Sequence, residues 1–171
     1  MRDILVFLFL NLLIFSCGNP TDKNNANTDC PLGQPTPIFS KDLNQVQSQK
    51  FELNGQNSLE TVIFKNGINM ELAQSGCEQI SQEFQFKIKD IPNKNNTVSW
   101  VETGISQFKF LSSLGEQFAP FFMWATSIEN QKERFAFNTP LELEPGFFVT
   151  FNKVPSNDFN ILIVRLHTEK Q

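Results

Sequence analysis

The chain has 171 residues, of which 40% are hydrophobic, and it carries nineteen phenylalanines, two tryptophans and no tyrosine. Its 14 lysines and arginines are scattered and outnumbered by 18 aspartates and glutamates, for a net charge of -4. Nothing supplies the basic footprint that a phosphate backbone requires, so nucleic acid is not expected as a partner. Three widely spaced cysteines and a single histidine, His167, argue against a zinc site, and no cofactor-binding motif is present.

The first element is apolar. After Arg2 and Asp3 comes the run Ile4 to Leu10, continued by Leu12, Leu13, Ile14 and Phe15. This core of about a dozen residues is too short for a bilayer-spanning helix, which needs roughly 20, and has the length of an export signal. It leads directly into Ile14, Phe15, Ser16 and Cys17. Those four residues resemble the lipobox of bacterial lipoproteins, in which an aliphatic residue stands three before the cysteine and a small one immediately before it; Phe15 is larger than the residue usual at its place. The resemblance covers the first 17 residues. It implies a diacylglycerol on the Cys17 thiol, cleavage after Ser16, and a protein exported to the cell envelope and held at a membrane by lipid. Two or three acyl chains anchor stably where one holds only reversibly. Gly18 stands where, in some Gram-negative bacteria, an aspartate retains such proteins at the inner membrane, which points to the outer membrane. The alternatives left open are an ordinary cleaved secretory signal, with Cys17 a bystander, and an uncleaved N-terminal helix.

Assigning Cys17 to lipid leaves Cys30 and Cys77 as a pair. In an oxidising compartment such a pair commonly bridges, and closing a loop of about 47 residues is worth on the order of 4 kcal/mol in the chain-entropy model. Two unbridged thiols are the alternative. Gly18 to Asp29 contains no large apolar residue, and Pro31 to Pro37 holds three prolines and a glycine. Residues 17–37 therefore read as a flexible tether whose polar part reaches roughly 20 Å from the lipid surface. Residues 38–171 read as one globular domain.

Within that domain, Phe51 and Leu53, two apart, predict a half-buried strand. Thr61 to Phe64 and the alternating Ile68 to Leu72 flank Lys65, Asn66 and Gly67, and Asn-Gly between such runs marks a hairpin because both residues tolerate positive φ. Glu83 to Lys89 reads as a third strand with Phe84, Phe86 and Ile88 on one face. After the loop of residues 90–96, Val98, Val101, Ile105, Phe108 and Leu111 recur at helical spacing, with Asn96 or Thr97 as N-cap and Gly104 a weak point of about 1 kcal/mol. A second helix is predicted from about Glu116 to Lys132, with Phe118, Phe122, Ala125 and Ile128 or Glu129 on one side and Pro120 in its first turn. Period two returns in Phe135 and Phe137, Leu141 and Leu143, and Phe147, Val149 and Phe151, before the apolar run Ile161 to Leu166; Pro140, Pro145-Gly146 and residues 155–158 supply turns. Strands, then helices, then strands predict an α+β fold: an antiparallel β-sheet of N-terminal and C-terminal hairpins with a central pair of helices packed on one face.

Nucleophilic catalysis needs a base within reach of the nucleophile, and His167, at a strand end, reads as an exposed residue. No nucleophile elbow, phosphate-cradling glycine loop, metalloprotease helix or calcium loop occurs. Glu142 and Glu144 share one face of a strand, most simply the solvated one, and Glu71 and Glu78 have no evident partner. Enzymatic activity is therefore not expected. Aromatic residues are densest at Phe118, Ala119, Pro120, Phe121, Phe122, Met123 and Trp124. Core packing accounts for most of that cluster; Phe108, Phe118, Phe122 and Trp124 are the candidate ligand or partner patch. The expected function is a non-enzymatic binding or assembly module for another envelope component. The alternative is a carrier or sensor of a small apolar ligand held between helices and sheet. An enclosed cavity of several hundred Å³ would favour the carrier, and a filled interior with an exposed aromatic patch the module.

Overall fold

The computed structural model describes residues 32–75, 79–154 and 158–168; the signal segment, Cys17, Cys30, Cys77 and Glu78 lie outside them. Strands β1 (Val46–Asn54), β2 (Asn57–Phe64), β3 (Asn69–Ser75) and β4 (Ser81–Ile88) follow one another as a meander. Helices α1 (Thr97–Ser112) and α2 (Ala119–Glu129) then carry the chain across one face to the far edge. There β5 (Leu141–Glu144), β6 (Phe147–Val154) and β7 (Asn160–Thr168) turn back until β7 pairs with β4. The result is one seven-stranded antiparallel sheet, in the order β1-β2-β3-β4-β7-β6-β5, and an α+β fold.

Local chemistry explains most of these elements. The Asn-Gly hairpin forms between β2 and β3, where Gly67 adopts φ +89° and its N–H donates to Phe64 O. Gly55, at φ +62°, belongs to the tighter, two-residue β1–β2 turn. Asn96 caps α1, its Oδ1 accepting from Val98 N at 2.9 Å, and Trp100, Val101, Ile105, Phe108 and Leu111 form the buried stripe. Gly104 belongs to that stripe. A Cβ built there would stand 2.7 Å from Cε1 of Phe151, so the glycine lets α1 descend onto β6 and β7. What reads in sequence as a helix weakness is a contact requirement.

Three expectations are corrected. The second helix is not continuous over residues 116–132: a 3₁₀ turn, Glu116–Phe118, precedes α2, and another, Lys132–Arg134, follows it. The tighter winding at Phe118 shifts the phase, so the buried row is Phe118, Phe121, Ala125 and Ile128, and Phe122 faces solvent. Phe135 and Phe137 are not in a strand. Asn138, at φ +60°, breaks the extended run; Phe135 turns edge-on to Phe151, and Phe137, edge-to-face with Trp100, lies with it against the Lys153 ammonium, 4.5 Å from the Phe137 centroid and 5.3 Å from that of Trp100. Finally, residues 32–37, grouped by composition with the tether, lie against the sheet, where Gln74 Nε2 donates to Thr36 O at 3.0 Å.

That last segment continues as a strap on the helix-side face. The N–H groups of Ile38 and Phe39 donate to the two carboxylate oxygens of Glu60 at 2.8 and 3.0 Å, and the Phe39 ring stacks on Phe118 and Phe121. The covering layer thus consists of the strap and both helices.

Candidate interaction surfaces

The interior between sheet and helices is filled with rings. Phe108 of α1 lies 5.2 Å from Phe84, 6.1 Å from Phe86 and 5.9 Å from Phe121, centroid to centroid, and none of its surface is exposed. Phe118 is 3% exposed and stacked on Phe39. Trp124 is partly buried between Phe108, Phe121 and Phe147. Phe108 and Phe118 are thus core, and Trp124 packs against it. The fourth candidate patch residue is not core: Phe122 is 56% exposed, its neighbour Met123 62%, and Ala119 and Pro120 beside them are exposed as well. Hydrophobic side chains of this size gain nothing from water, so their adjacency marks an apolar patch on the outer side of α2.

Among the described residues no helix crosses the opposite face of the sheet, and polar chemistry concentrates there. Glu83 of β4 stands directly across from Arg165 of β7. Arg165 Nε donates to Glu83 Oε2 at 3.0 Å, its second nitrogen joins the same oxygen, and Gln85 Nε2 donates to Oε1 at 2.8 Å. Open hollows of about 430 and 150 Å³ flank this pair, the larger lined by Ser75, Ser81, His167 and Thr168, the smaller by Asn138, Thr150 and Asn152. His167 stacks on Phe148 at 5.6 Å. Lys87 pairs with Glu71 at 3.8 Å, which gives Glu71 the partner its sequence context did not reveal. Glu142 and Glu144 are exposed, and Glu142 accepts from Gly146 N within its own turn.

Among the described residues no group of three or more His, Cys, Asp or Glu side chains is placed to hold a metal ion, and no helix is long and apolar enough to cross a membrane. Sequence reading missed Glu60 and the Glu83–Arg165 pair. Alternation does place Glu60 on the same face as Val62 and Phe64, and that is the signal by which a buried carboxylate could have been found. Comparison with protein-family models, with curated proteins and with solved structures finds no match to this chain.

Proposed function

We propose that the chain is an exported cell-envelope protein, lipid-anchored through Cys17 at the outer membrane, whose domain is a non-enzymatic binding module for another envelope protein. The observation that carries this reading is the contrast within one helix: Phe118, Phe121, Ala125 and Ile128 fill the interior, while Phe122 and Met123 stand in solvent on adjacent positions. A patch of this kind, on a domain whose interior is already packed, suits a protein partner. The carrier reading draws no support from the interlayer space, which the phenylalanine rings occupy.

The same reading includes a Cys30–Cys77 disulfide. Leu32 and Ser75, each two residues from one of these cysteines, line one shallow groove together with Ile80. That these two described residues meet at one groove supports the pairing. The bridge would pin the start of the strap to the β3–β4 connection.

Two experiments test the proposal. Replacing Cys17 with Ser should abolish globomycin-sensitive processing and release the protein from the membrane; unchanged membrane association rules the anchor out. A photoreactive residue in place of Phe122 should crosslink, in intact envelopes, to one species of defined mass. The same group at Ser106, an exposed position on α1, should not, and Met123→Glu should remove the adduct. Equal crosslinking from both positions would eliminate the patch as the partner surface.

A further inference from the structure

The sheet ends in two dissimilar edges. β5 is four residues long, flanked by Pro140 and Pro145, and carries the exposed Glu142 and Glu144, which are devices that blunt an edge against pairing. β1 runs nine residues with no proline, and its one irregularity, between Val46 and Ser48, leaves the stretch from Ser48 to Asn54 regular.

The hydrogen bond from Phe64 N to Ile68 O sets the phase of β2: Ser58, Glu60, Val62 and Phe64 turn their main-chain groups toward β3, and Asn57, Leu59, Thr61 and Ile63 turn theirs toward β1. Their partners Asn54, Glu52, Lys50 and Ser48 are thereby used. The N–H and C=O groups of Gln49, Phe51 and Leu53 therefore point outward from the edge. The side chains of these three residues lie on the helix-side face, opposite Val62, Glu60 and Ser58. Leu53 is 47% exposed there, and beside Gln49 opens a hollow of about 410 Å³ walled by Pro37, Ile38 and Phe39.

We propose that β1 is a self-complementary edge at which two copies of this chain pair antiparallel about a two-fold axis through Phe51, joining their sheets. In that register Phe51 faces the second copy's Phe51, and Gln49 faces its Leu53, so all three outward residues of each strand exchange main-chain hydrogen bonds. Each exposed Leu53 side chain then lies on the helix-side face next to Gln49, at the mouth of the hollow formed by Pro37, Ile38 and Phe39. On the other face Lys50 stands opposite the second copy's Glu52, and Glu52 opposite its Lys50. These are non-hydrogen-bonded pairs, in which side chains come closest. A slip of two residues either way sets Lys50 against Lys50 or Glu52 against Glu52. Charge thus selects the one register that also uses every outward group. The surface is separate from the α2 patch, and the inference does not rest on the function proposed above.

The test is the mass in solution of the full chain in detergent, by light scattering across the micromolar range. The wild type should be a dimer. Lys50→Glu and Glu52→Lys each set like charges opposite one another twice per dimer and should weaken association by about tenfold or more. Mixing the two variants should restore a heterodimer, because the mixture alone brings opposite charges together again. Lys50 and Glu52 also pair with each other along the strand, but at 73% and 54% exposure such a pair contributes little, so neither change threatens folding, and circular dichroism checks this. A monomeric wild type, single variants that dimerise as the wild type does, or a mixture no more associated than its components would each overturn the proposal.

Discussion

Glu60 has none of its surface exposed, a position that costs a carboxylate its hydration unless donors replace it. Three do: the main-chain N–H groups of Ile38 and Phe39, and Gln49 Nε2 at 2.9 Å. The residue therefore acts as a latch between sheet and strap. Glu60→Ala leaves two main-chain donors without their acceptor and should lower unfolding stability by about 2–4 kcal/mol, read from the urea midpoint, whereas Glu60→Gln, which keeps an acceptor oxygen, should lose less. An alanine variant within about 0.5 kcal/mol of wild type would show that the latch is not needed. The inward placement of Glu60 is legible from its alternation with Val62 and Phe64. Its partners are not, because Ile38 and Phe39 lie 22 and 21 residues away along the chain and meet it only through the path of the strap.

At the scale of elements, helical periodicity located α1 well, since its buried stripe repeats every three or four residues from Val101 to Leu111, about three turns. It located α2 less well. Phe118 and Phe122 share a face only if the helix is already α-wound at Phe118, and the 3₁₀ turn there moves the inward row to Phe121. One residue of phase decides whether Phe122 is core or surface, and the function proposed here turns on that residue. Gly104 illustrates the converse. An alanine at an exposed helical site would stabilise by about 1 kcal/mol over glycine. Here the added methyl meets the buried Phe151 ring, and overpacking of this kind costs about 1–3 kcal/mol. Gly104→Ala should therefore lower the thermal midpoint, and an unchanged or raised midpoint would mean that the ring gives way at little cost.

For the whole molecule, the strap matters as much as either helix. Phe39 is 1% exposed and touches Phe64, Phe118 and Phe121, joining β2 to the start of α2. Phe39→Ala should cost about 3–5 kcal/mol, measured by denaturant unfolding, as for other large core side chains. A loss under about 1 kcal/mol would mean that the sheet and helices hold together without the strap. Fold class, the Asn-Gly hairpin and most strands were set by the sequence alone, because alternation and turn chemistry act between residues a few positions apart. The lipobox resemblance and the assignment of Cys17, Cys30 and Cys77 are likewise readings of sequence. Tertiary structure alone decided that β7 pairs with β4, bringing Arg165 to Glu83 across 82 residues of chain, and that β1 is a long edge with no further strand beside it among the described residues. It also decided that Glu60 is latched and that Phe122 faces solvent. The physical reason is shared: strand order, edges and helix phase depend on contacts between distant segments, and no local pattern of residues encodes which distant segment arrives.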